Sequence, residues 1–208
     1  MLLLLACHSL PSNVDAQHSD SSTPSNVDAQ HSDSSTIPPN ILLIEVDALR
    51  KDHIPLYGYD RNTLPLSQPW LVIDGYSSNS SWTLVSVASV LSGLEPHHHH
   101  VLETNLSNTL PEPTLVAQFH QAGYFTRLAS GNNFFEREFG LQNDFDEVII
   151  KNERFQQSNL GALLHDSLKD LSAHQPFFLM LQPMDPHGSY SPELEDQGLW
   201  TLQPPISP

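Results

Sequence analysis

Two residues of this chain stand where side chains can do chemistry: Asp47, closing the apolar run NILLIEVD, and Thr83, opening the run TLVSVASVLSG. A carboxylate at the C-terminal end of a strand faces the crevice in which open α/β sheets collect ligands and metals. A hydroxyl in the first turn of a helix meets unpaired N–H groups and the positive end of the helix dipole. That setting attracts an anionic ester and favours the alkoxide. Each residue also has a plain structural use, since Asp caps turns and Thr is a common helix N-cap. A third feature, His97 to His100, is four consecutive histidines. Such a run is either solvated surface or a loose zinc or nickel binder without fixed geometry.

Elements must bring these residues together. Residues 40–47 make a strand of the buried type, and LVIDGY at 71–76 predicts a second, short strand. Leu84, Val87, Ala88 and Leu91 fall at helical spacing before Gly93, which predicts a helix over 83–92. The same pattern predicts helices over 114–122 and 155–171, and apolar runs predict strands over 124–129 and 177–182. Strands alternating with helices imply an α/β fold, a mostly parallel sheet with helices on both faces.

Taken in order, PPNILLIEVDALRKDHIPLYGY (38–59), SSNSSWTLVSVASVLSGLEPHHHHV (77–101), GYFTRLASGNNFFEREFGLQNDFDEV (123–148) and PFFLMLQPMDPHGSY (176–190) resemble the N-terminal half of the sulfatase family, within the alkaline phosphatase superfamily. The resemblance spans about residues 39–192 and implies a truncated alkaline phosphatase-like sheet. It places Thr83 at the family's nucleophile position, with Asp47 and Thr83 as metal ligands. It makes His187, in the Asp185-Pro186-His187 segment, a donor to the ester oxygen or leaving group. His97 and His99 match a family His-x-His, so His99 is a substrate-binding candidate. Asn132 and Asn133 replace a common Lys-Trp-His segment, leaving Asn132 as an uncharged substrate-binding donor.

Departures from the family pattern are informative. Val85 and Val87 stand where the formylglycine-forming machinery reads Pro and Arg, so no formylglycine is expected. A threonine nucleophile resembles instead the phosphate- and phosphonate-ester branches, in which the hydroxyl attacks directly. The implied cofactor is a divalent metal, calcium first, with zinc or manganese if the chemistry is of the phosphoesterase kind. Ala48 stands where sulfatases carry a second aspartate, and the remaining family ligands lie beyond the matched segments. One Asp and one Thr fall short of the six or so oxygens a hard cation wants, so an incomplete, inactive site is expected. The implied activity is hydrolysis of sulfuric or phosphoric esters, on a small molecule or a polysaccharide. The alternatives are a phosphodiesterase or phosphotransferase using the same threonine, or a non-catalytic tethered remnant.

The formal charge of −16 argues against nucleic acid or an anionic membrane surface as partner. Cys7 is the only cysteine, which excludes internal disulfides and cysteine-ligated zinc. MLLLLAC, residues 1–7, resembles the end of a bacterial lipoprotein signal with Cys7 as the lipidated residue, though its apolar run is short. PSNVDAQHSDSST occurs at 11–23 and again at 24–36, too polar to bury a core, so 8–37 is expected to be a disordered spacer ahead of a domain over 38–208. Together these imply a protein tethered by lipid in a bacterial cell envelope, periplasmic or at the outer surface. The stretch from Pro192 onward is expected to be mobile.

Overall fold

A computed structural model describes residues 2–7, 38–63, 71–73, 75–103, 109–151, 160–184 and 186–187. The predicted spacer over 8–37, Asp185 and the stretch from Pro192 lie outside the described residues.

The sheet has five strands: β1 (Leu2–Cys7), β2 (Asn40–Glu45), β3 (Phe125–Ser130), β4 (Glu147–Ile150) and β5 (Phe177–Gln182). Their order across the sheet is β1-β2-β5-β3-β4. β2, β5, β3 and β4 run parallel, and β1 lies antiparallel along the outer side of β2, with Leu2 opposite Glu45 and Cys7 opposite Asn40. The mostly parallel α/β architecture expected from the sequence is therefore the one observed. β5 is last in sequence but central in space. Its Phe178, Leu179, Met180 and Leu181 are all at most 2 % exposed, so each contributes about 1.5–3 kcal/mol by burial.

Side-chain alternation divides the core into two layers. Leu43, Phe178, Met180 and Leu128 face α1 (Thr83–Ser92) and α3 (Leu115–Gln121), with the single turn α2 (Pro96–His99) beside them. Ala129, Leu179 and Leu181 face the other way, toward Leu163 of α4 (Leu160–Leu168) and Leu171. The four apolar positions predicted for α1, Leu84, Val87, Ala88 and Leu91, are all at most 1 % exposed. The helix stops at Gly93, whose φ of 69° is left-handed and whose N–H closes on Ser89 C=O. α3 starts at Thr114, whose hydroxyl accepts from the Ala117 N–H at 3.0 Å.

Arg127 of β3 is 3 % exposed. It binds the Glu147 carboxylate through Nε and Nη2 (2.9 and 2.5 Å) and the carbonyls of Ser167 and Lys169 through Nη1 (2.9 and 2.7 Å). One guanidinium thus joins the β3–β4 pair to the C-terminal end of α4, where backbone acceptors lack helical partners.

Two sequence expectations need correction. LVIDGY is not a strand among its described residues: Leu71 and Ile73 are 87 % and 69 % exposed, so the apolar run has no sheet to join. The helix expected over 155–171 ends at Leu168, because Asp170 turns left-handed (φ 55°) into a 3₁₀ turn at Leu171–Ala173; residues 152–159 lie outside the described residues. β4 was not anticipated at all.

Candidate active site

β2 ends at Glu45, and Asp47 sits in the turn just beyond it, beside Ala48 at φ 56°. The Asp47 N–H donates to Pro183 C=O at 3.2 Å, which holds this turn against the loop leaving β5. Thr83 begins α1 after Trp82, an extended N-cap residue whose side chain makes no capping bond. The helix therefore leaves first-turn N–H groups without side-chain acceptors at the same edge of the sheet. Trp82 packs edge-on against Phe134, ring centroids 5.8 Å apart, and so brings the loop after β3 to the start of α1.

The convergence point is one oxygen. Asp47 Oδ2 accepts from Thr83 Oγ1 at 2.9 Å and from Asn132 Nδ2 at 3.1 Å. Asn132 is itself held: its Oδ1 accepts from Phe134 N–H at 2.9 Å, and its own N–H donates to Ser130 Oγ at 2.9 Å. A hydroxyl bonded to a carboxylate that a third group orients has the geometry of a nucleophile, its base and an orienting residue. Thr83, Asp47 and Asn132, 36 and 85 residues apart in sequence from Asp47, are thus brought together.

Of the other sequence candidates, His187 lies on the loop after β5, exposed, with its N–H donating to Met184 C=O at 2.8 Å. It shares the sheet edge with Asp47. His99 is placed elsewhere: it is 2 % exposed, and its Nδ1 accepts from Val101 N–H while Nε2 pairs with Ser89 Oγ, both at 3.0 Å. Burial first, then the neighbouring His100, lowers its pKa below the ordinary imidazole range. Its contacts tie α1 to α2 rather than reaching Asp47. His97 and His98 are exposed, their rings 3.9 Å apart. Cys7 ends β1 opposite Asn40. Among the described residues no group of three or more His, Cys, Asp or Glu gathers as a metal cage.

The family model described as Sulfatase matches residues 39–198. The chain belongs to the sulfatase family. That match covers all of β2 to β5 and every residue of the Asp47 cluster. Neither a curated protein nor a solved structure matches the chain.

Sequence reasoning overlooked three polar residues behind the Asp47 cluster. Ser130 and Gln182 are fully buried at the C-terminal ends of β3 and β5, opposite one another in register, and Ser130 Oγ donates to Gln182 Oε1 at 2.7 Å. Glu45 occupies the end of β2, where burial, and secondly the charge of Asp47, push its carboxyl up to about 7. The signal was present as polar letters ending apolar runs, NILLIE, FTRLAS and FFLMLQ. Only the sheet order shows that these endings are neighbours.

Proposed function

We propose that this sulfatase-family protein cleaves sulfuric or phosphoric esters with Thr83 as nucleophile. The observation that carries the reading is the Thr83–Asp47 hydrogen bond at the mouth of α1. In the proposed step the Thr83 oxygen attacks sulfur or phosphorus in line as its proton passes to Asp47 Oδ2. The new O–S or O–P bond forms while the bond to the leaving group breaks. First-turn N–H groups of α1 face the equatorial oxygens, where charge develops. Asn132 keeps the Asp47 oxygen turned toward Thr83, and His187 protonates the departing oxygen on the loop side. A threonine flanked by Val85 and Val87 favours direct attack over a formylglycine hydrate, which is why a phosphodiesterase or phosphotransferase is the second reading.

A divalent metal, calcium before zinc or manganese, would neutralise the ester's charge. The donors gathered here, one carboxylate and one hydroxyl, do not by themselves make the shell of about six oxygens such a cation needs. The step is accordingly written without it. It predicts stoichiometric transfer to Thr83 rather than sustained turnover. The proposed substrate is a small-molecule or polysaccharide ester, and the proposed setting is a bacterial cell envelope, reached through a lipid on Cys7.

The test is incubation with an activated aryl phosphate or aryl sulfate, followed by peptide mapping. The expected result is modification at Thr83 that is absent from Thr83→Val and Asp47→Asn. Modification at other residues only, or release of the phenol at equal rates from wild type and Thr83→Val, refutes the nucleophile. A chain that takes no label under any condition supports the non-catalytic remnant.

A further inference from the structure

The side chain of Gln182 is an expense inside a core. It is fully buried in the central strand, directly after the apolar stretch Phe177–Leu181, and its Nε2 has no hydrogen-bond partner. A buried amide hydrogen without an acceptor is destabilising, and an apolar side chain of similar length would avoid that cost. Local rules broken in this way concentrate at functional sites. What Gln182 does accomplish is to accept the Ser130 hydroxyl proton at 2.7 Å.

That bond fixes the rotation of the Ser130 hydroxyl and turns its lone pairs toward the next donor. A serine hydroxyl has one proton and two lone pairs. With the proton committed to Gln182 Oε1, the lone pairs are left to accept, and Ser130 Oγ accepts the Asn132 N–H at 2.9 Å. Asn132 is then fixed from behind by Ser130 and from the side by Phe134 N–H on its Oδ1, which also settles which end of the amide is nitrogen. The nitrogen end faces Asp47 Oδ2 at 3.1 Å. The chain of bonds from β5 through β3 to the turn after β2 is continuous, with Asn132 donating at both ends, through its backbone N–H to Ser130 and through Nδ2 to Asp47, and it ends on the oxygen that also holds Thr83.

We propose that Gln182 and Ser130 are positioning residues for the active site: acting through Asn132, they hold the Asp47 carboxylate in the orientation that receives the Thr83 proton. This rests on the reading of Asp47 and Thr83 given above, and extends it to two buried residues that never meet substrate. Strand β5 lies between β2 and β3, where the Gln182 side chain can brace the loop that both site-bearing strands need.

Exchange of the Asn132 side-chain amide protons with solvent, followed by NMR on the full chain with isotope-labelled asparagine, tests this without any need for turnover. Asp47→Asn identifies the Asn132 resonance by shifting it. Gln182→Met and Ser130→Ala are expected to speed Asn132 amide exchange by roughly five- to tenfold, the factor a lost hydrogen bond gives. Gln182→Glu, which keeps an acceptor in place, restores slow exchange. Val116→Ala, a cavity in α3 away from the relay, lowers the melting temperature and leaves Asn132 exchange unchanged. Wild-type exchange rates in Gln182→Met and Ser130→Ala, or an equal acceleration in Val116→Ala, overturn the proposal. A protein that shows the Asn132 response and yet takes no label at Thr83 counts against the nucleophile and leaves the relay standing.

Discussion

Glu45 should make the stability of this protein fall as pH rises through neutrality, and a single substitution should abolish that component. Its carboxyl lies at the end of β2 with Oε2 fully buried and without a partner, and burial, followed by the charge of Asp47, carries its pKa from 4.5 to about 7. The folded state therefore keeps a proton that the unfolded chain releases near pH 4.5. A carboxyl raised in this way contributes its full stability below pH 4.5 and loses it progressively as the pH climbs to about 7. At 1.36 kcal/mol per pH unit, the loss between those limits is about 3 kcal/mol, a large share of the 5–15 kcal/mol typical of a folded domain. Glu45→Gln keeps the shape and cannot ionise. Urea denaturation of both proteins from pH 4 to pH 9 isolates the effect, because the remaining acidic surface titrates in both and cancels in the difference. The variant should match wild type near pH 4, gain on it through the window between 4.5 and 7, and hold an advantage of about 3 kcal/mol above that. Asp47→Asn, which removes the second cause, should narrow the window from its upper end. A difference that stays constant across the whole range, or one that favours wild type at high pH, would refute the burial argument.

Other outcomes follow from the same coordinates. Arg127→Ala should cost about 1–3 kcal/mol in denaturant melts, since it empties a buried site and leaves the carbonyls of Ser167 and Lys169 at the end of α4 without their donor, while Arg127→Met should cost less because it refills the space; equal stability in all three proteins would show that the clamp is idle. Calcium titration should leave the melting temperature nearly unchanged, because a ligand raises stability only above its dissociation constant for the folded form; an upward shift at micromolar calcium that disappears in Asp47→Ala would mean that more oxygens converge on Asp47 than the donors described. In a Gram-negative host Cys7 should take a fatty acid and carry the protein to membranes, with Leu2–Ala6 of β1 removed by the processing that exposes Cys7; labelling that survives Cys7→Ser would refute it.

The elements legible in the sequence are those whose pattern is local. α1 announced itself through Leu84, Val87, Ala88 and Leu91 and a closing glycine, and its observed span coincides with the expected one. β2, β3, β5 and α3 were found within a residue or two of their observed ends. Where the pattern needed a partner, it failed. LVI at 71–73 has the letters of a strand but no neighbour to bond, and its side chains stand in solvent. β4 is four half-buried residues beginning with a glutamate, and it exists because Arg127 to Ser130 offer it a parallel edge. The pairing of Thr83 with Asp47 could be expected from the family pattern, and the two are indeed hydrogen-bonded. Gln182 could not be connected to them from its own neighbourhood, since its role depends on a strand order that runs against the sequence order.

That order also explains why the polar endings matter together. Glu45, Gln182 and Ser130 close β2, β5 and β3, which are consecutive across the sheet, and all three lie on the layer that carries α1. In a parallel sheet every such ending points toward the same edge, so polar residues far apart in sequence accumulate in one place. Their desolvation is costly, and two of their atoms, Glu45 Oε2 and Gln182 Nε2, are left without partners. An apolar row would be more stable, but would leave Asn132 and Asp47 free to choose among rotamers. The sheet accepts a less stable edge in return for a carboxylate fixed opposite the first residue of α1. Stability and site order should therefore respond in opposite directions when Gln182 is made apolar: Gln182→Met should melt no lower than wild type while its Asn132 amide exchanges faster. A loss of both together would mean that Gln182 serves the fold alone.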